Sequence, residues 1–205
     1  MVDYSQYKQF ELRRRFFKIV GAEITISDPV SQQEVGFIKM AAWKLREDIR
    51  IFVDRSQQET VVQIHARQII DFGATYDVSD ALGQKLFALR RKGFKSALVR
   101  DHWNLLDPSD QQFGEIQETS SGLALARRWL EVLPFGDFIG LLFSFIPQTY
   151  TVTVNGQLAA NITHRKNPVI VKMLVDTSAA TVASDPRIVL TSAAMLSIID
   201  AVKNN

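Results

Sequence analysis

The stretch Asp185-Pro186 followed by RIVLTSAAMLSIIDAV, Arg187 to Val202, decides the fold. An Asp accepting an orphan N–H, with Pro at the first helical position, is a helix start. From there Leu190, Met195, Leu196, Ile198 and Ile199, with Ile188, Val189, Ala193 and Ala194, point in every direction around a 3.6-residue repeat. A helix apolar all round must be enclosed by protein or by lipid. Spanning a bilayer takes about 20 apolar residues. The run between Arg187 and Asp200 is shorter and carries a charge at each end. Its length of about 25 Å instead matches strands of seven or eight residues, so a helix sheathed by a closed sheet is expected from 186 to 202. A membrane tail anchor is the alternative.

Working back from that helix, the chain repeats itself. Ile24–Lys39, Ile51–Arg67, Thr75–Arg91, Trp103–Gln117 and Thr149–Arg165 each read as an alternating apolar segment, a turn, and a second alternating segment. The turns hold Asp, Pro, Ser, Gly or Asn, and the last carries Asn155-Gly156, the strongest short-range hairpin signal. These five hairpins supply ten strands; Pro168–Asp176 adds one, and KQFELRR from Lys8 a twelfth. So many strands in series are best closed into a barrel. One of about twelve strands is too wide for its own side chains to fill, which makes the helix the plug. The fold expected is mainly β: a closed antiparallel barrel of about twelve strands around a C-terminal helix, one domain over 1–205.

Between the fourth and fifth hairpins, Glu118–Gln148 breaks the repeat and reads as two short helices. Arg127, Arg128, Trp129, Phe135, Phe138, Phe143 and Phe145 give it more apolar and cationic surface than a connection normally carries. It caps one end of the barrel, or else it docks on a membrane or a protein partner.

Composition narrows function by exclusion. A net charge of +2 gives no case for nucleic acid. The absence of cysteine removes disulfides, thiolate catalysis and cysteine-ligated zinc. No secretory signal is visible in MVDYSQYKQFELRRRFF, so the expected location is cytoplasmic, with peripheral membrane association as a further possibility. His65, His102 and His164 are far apart and read as strand histidines rather than zinc ligands. Asp28, Asp54, Asp77 and Asp107 read as turn residues rather than paired catalytic acids. No phosphate-binding loop, nucleophile elbow or dinucleotide fingerprint is present. Arg13, Arg14 and Arg15 alternate faces if they lie in a strand, and cannot form one patch. Arg90, Arg91, Lys92 and Lys95 surround Gly93 between two strands, either as a solvated loop or as a contact for anionic headgroups.

Repeated hairpins of the form apolar-Asp-turn-Gly-apolar, then a terminal D-P-R-apolar helix, resemble the Tubby C-terminal-like superfamily. Within it, Phe17–Pro29, Ala81–Asp107, Asn155–Ile162 and Asp185–Asp200 are most similar to the LURP-one-related and phospholipid-scramblase-like branch. The resemblance implies a twelve-stranded barrel around a central helix, with no enzymatic activity established across a family whose members diverge in role, from phosphoinositide binding and calcium-dependent lipid movement to plant defence. The chain departs from the scramblase pattern in lacking the cysteine cluster and in having a single acidic residue in Thr177–Arg187. The expected function is therefore a non-enzymatic binding module without cofactor or metal, contacting anionic phospholipid. A protein-interaction scaffold without lipid affinity, or a hydrolase whose site assembles only in three dimensions, are the alternatives.

Overall fold

A computed structural model describes residues 3–17, 21–40, 48–67, 74–92, 102–119, 147–165 and 171–203. Twelve strands follow in chain order: β1 (Gln9–Phe17), β2 (Gly21–Ser27), β3 (Glu34–Met40), β4 (Asp48–Phe52), β5 (Thr60–Ala66) and β6 (Thr75–Ser79). β7 (Lys85–Arg91), β8 (His102–Leu106), β9 (Gln112–Glu118), β10 (Gln148–Val154), β11 (Gln157–Arg165) and β12 (Val171–Asp176) complete the set. Each pairs antiparallel with its sequence neighbour, and β12 pairs with β1, so the sheet closes. The barrel is closed and twelve-stranded, and its strands fall on the expected hairpins. Strand alternation does the sorting: on β1, Phe10, Leu12 and Arg14 face in, while Glu11, Arg13 and Arg15 face out.

The single described helix, α1 (Pro186–Lys203), enters this lumen. Asp185 caps it, accepting from the Arg187 N–H at 2.9 Å. Every residue from Ile188 to Ile198 is buried, the Leu190, Met195, Leu196 and Ile198 side chains among them, and Ile199 is half-buried against the same core. Small side chains at Ser192, Ala193, Ala194 and Ser197 let the helix fit. It touches β1, β5, β11 and β12. No helix among the described residues is long and apolar enough to cross a membrane.

An up-and-down barrel has two unlike ends. The near end gathers the turns from β2 to β3, β4 to β5, β6 to β7, β8 to β9 and β10 to β11, together with the start of α1. Its turns share a design. Asp28, Asp54, Asp80 and Asp107 accept backbone N–H groups of residues two to four places on, in Asx turns. Gln32, Gln57, Gly83 and Asp110 then take positive φ, and Asn155 and Gly156 do so at φ 50° and 75°. Each of the five hairpins carries a register shift beside its turn. Such bulges sharpen the twist at a barrel rim. Asp77 is the exception to the turn reading. It sits within β6 opposite His65, and its carboxylate holds Arg67 at 2.7 Å; the turn acid of that hairpin is Asp80.

Gly114 marks a close approach. It faces inward on β9, where a Cβ would collide with the Thr153 carbonyl oxygen, next to the bulge on β10. A 3-10 turn, Tyr4–Gln6, covers the near end. The buried Tyr4 hydroxyl donates to the Val35 carbonyl at 2.9 Å, and burial, with the Glu59 carboxylate, pushes its pKa up to about 12.

Candidate functional site

The far end is where β1, β3, β5, β7, β9 and β11 finish. Five exposed side chains at those strand ends are cationic, while Gln117 and Thr119 on β9 are neutral and Glu23 of β2 lies in register between Arg15 and Lys39. Arg15 closes the outward row of β1, Lys39 that of β3, Arg90 and Lys92 follow on β7, and Arg165 ends β11. None of these five is in an ion pair among the described residues. Arg90 donates to the Thr75 hydroxyl at 3.3 Å on the neighbouring strand.

The near end is opposite in sign. Asp28, Asp54, Asp80, Asp107, Asp176 and Asp185 all sit at turns or caps there, each accepting from a backbone N–H. Those bonds hold the Asp28 and Asp54 carboxyls below the usual carboxylate range, with the Ser31 and Ser56 side chains as the largest cause. Turn chemistry thus accounts for the acids. It does not account for the cations, which lie where no hairpin turn needs them.

The expected Arg90, Arg91, Lys92 and Lys95 cluster is therefore divided. Arg90 and Lys92 are exposed at the rim, whereas Arg91, on the other face of the strand, lies 5.6 Å from the centroid of the Trp103 ring. That geometry is a cation–π contact within the usual reach. Lys95 falls outside the described residues, as do Arg127, Arg128, Trp129, Phe135, Phe138, Phe143 and Phe145. The expected insertion narrows, since Glu118 is the last residue of β9 and Gln148 the first of β10. Those two strand ends lie at the cationic end, joined by a Thr119 N–H to Thr149 carbonyl bond of 2.8 Å.

The arginine triplet splits as strand alternation requires. Arg14 is buried and donates through Nη1 to the Ser197 carbonyl near the end of α1. A cation there complements the negative end of the helix dipole. Glu118 and His164 are also buried on the inward faces of β9 and β11, and both have partners. The sequence signal for Arg14 was its place in the inward row Phe10, Leu12, Arg14.

The histidines do not converge. His65 is exposed and 3.9 Å from Asp48, His102 is 2.9 Å from Glu115 on the paired strand, and His164 lies in the lumen. No group of three or more His, Asp or Glu side chains among the described residues is placed to hold a metal ion. On the outer wall, Arg67 and Lys85 interleave with Asp77 and Asp110 at 2.6 to 3.4 Å. Arg67 holds the Asp77 and Asp110 carboxyls well below the usual range, against the opposing pull of burial and with help from Lys85. That cluster ties β5 and β6 to the β8–β9 turn.

A closed twelve-stranded barrel threaded by a C-terminal helix is a specific architecture, and the profile of the LURP-one-related family matches residues 34–199. The chain belongs to the LURP-one-related family. That family lies within the Tubby-like superfamily. The match runs from the start of β3 to Ile199 of α1 and so includes the plug of the LURP-one-related barrel. No curated protein and no solved structure matches the chain.

Proposed function

We propose that this LURP-one-related barrel is a non-enzymatic binding module that docks end-on, far end down, against an anionic phospholipid surface. The observation that carries the reading is the separation of charge along the barrel. Exposed, unpaired Arg15, Lys39, Arg90, Lys92 and Arg165 lie at one end, and the turn carboxylates lie at the other. A field of that kind orients the molecule before contact, because the near end is repelled by the surface that attracts the far end.

Magnitude then says what else is needed. Five cations near such a surface contribute about 5 kcal/mol in total, which alone is only submillimolar binding. Firm attachment takes a second, apolar contribution. The aromatic residues of 120–146, which join β9 to β10 in sequence, are the source this chain offers.

Co-sedimentation with vesicles of neutral phosphatidylcholine, with and without anionic phosphatidylserine, tests this. The native chain is expected to sediment only with the anionic vesicles and to be released by salt, and Arg90→Glu with Lys92→Glu to abolish sedimentation at unchanged melting temperature. Equal binding to neutral vesicles, or full binding by the double variant, overturns the reading. A chain that ignores both vesicles overturns it as well.

A further inference from the structure

The near end holds a pocket of about 510 Å³ that the membrane reading does not use. Four segments remote in sequence build it: the N-terminal 3-10 turn, the β4–β5 hairpin, the β6–β7 turn and the start of α1. The volume is in the range of small-molecule sites, which run from roughly 300 to 1,000 Å³.

Its lining mixes apolar side chains with carboxylates. Val53, Val61, Leu82 and Pro186 supply the walls. Leu82 stands at a turn tip, 93% exposed, where turn chemistry would favour a polar residue. Asp3, Glu59 and Asp80 line the same pocket. The remaining pair in the lining, Asp185 and Arg187, bond each other at 2.6 to 3.0 Å, and Asp80 adds its field to the same guanidinium. The lining therefore carries four carboxylates against one cation.

Acceptor capacity remains as well. Asp80 caps its turn through Oδ1 alone, accepting from the Leu82 and Gln84 N–H groups, each at 2.9 Å. Asp3 likewise uses only Oδ1, towards the Ser5 N–H and hydroxyl. The Oδ2 atoms of both receive no donor among the described residues. Each can take a charge-assisted hydrogen bond without giving up the turn it holds.

We infer that this pocket binds a small organic cation, a protonated amine or guanidinium carried on an apolar body. Asp3 and Asp80 hold the cation, and the body lies against Leu82, Val53 and Val61. The site is at the opposite end from the proposed membrane contact and does not depend on it.

Isothermal titration with 4-phenylbutylamine, set against the matched alcohol and the matched carboxylate, tests the inference. Amide chemical shifts at residues 80–84 locate the site. The amine is expected to bind roughly tenfold more tightly than the alcohol, and the carboxylate to show no heat. Asp80→Asn keeps the capping oxygen and removes the charge, and Leu82→Ser removes wall that faces solvent. Both should weaken the amine several-fold while leaving the melting temperature and vesicle sedimentation unchanged. Equal binding of amine and alcohol, shifts elsewhere on the barrel, or native affinity in both variants overturns the inference. So does no binding at all.

Discussion

Thr191 is fully buried in the plug helix, and its hydroxyl has no hydrogen-bond partner among the described residues. Its neighbour Ser192, equally buried, donates to the Ile188 carbonyl at 2.7 Å. The two hydroxyls, one residue apart, should respond in opposite ways to removal. An unpaired buried hydroxyl costs about 1–3 kcal/mol by mutational measure. Valine has the shape of threonine and nearly the same helix propensity, so Thr191→Val removes the cost and leaves no cavity. The expected gain is about 1–2 kcal/mol. For a chain of this length that raises the melting temperature by roughly 2–8 °C. Ser192→Ala loses a bond worth about 0.5–1.5 kcal/mol and recovers about 0.5 from helix propensity, so its stability should stay level or fall by up to about 1 kcal/mol. Urea denaturation and calorimetry of the two variants provide the comparison. A Thr191→Val protein no more stable than the native chain refutes the packing derived for this helix.

Gly114→Ala drives a Cβ into the Thr153 carbonyl, a backbone atom unable to swing aside; a loss of about 1–3 kcal/mol is expected in urea titrations, and a neutral result would mean that β9 and β10 are not so close. Met195→Asp places an unpaired charge in the lumen and should give no soluble folded protein; a soluble variant with native thermal stability would put the helix outside the core. The Asp77 carboxyl is held down by Arg67, so its stabilising contribution is complete above the unfolded value of about 3.9 and disappears as pH falls through its lower folded value. Arg67→Gln should therefore melt below the native chain at pH 6 and approach it towards pH 2.5; a gap that widened on acidification would contradict the pairing.

Much of this fold was legible because each level of the sequence agreed with the next. The Asp-led turns at Asp28, Asp54 and Asp107 and the Asn155-Gly156 turn state their geometry in local chemistry, and the structure adopts it. The all-round apolar helix needed only the inference that a wide barrel wants a filling. What escaped was set by register and distance. Asp77 resembled a turn acid because an apolar run precedes the turn, but β6 extends past it to Ser79 and hands the turn to Asp80. Arg14 looked like one of three basic residues until strand parity placed it alone in the lumen. The Gly114 contact depends on a bulge one strand away. The near-end pocket joins residues 3, 59, 80 and 185, whose proximity no local pattern encodes. For the site cations, parity separates Arg91 from Arg90 and Lys92, a division the composition of the cluster concealed.

The seam between β1 and β12 has a temporal consequence. Gln9 bonds Asp176 across a separation of 167 residues, and Lys8 accepts from the Thr177 N–H beside it. Nearly the whole sheet must therefore exist before its first strand finds its second partner, and the helix that fills the lumen is synthesised later still. At about 5–20 residues per second, a nascent chain spends roughly 10–40 s as an open meander with one apolar face and an unpaired leading edge. Contacts this non-local also place the final closure among slow folding events. The species most at risk of aggregation is thus the unfinished chain on the ribosome, and shielding the β1 edge during translation should raise soluble yield more than any substitution in the completed barrel.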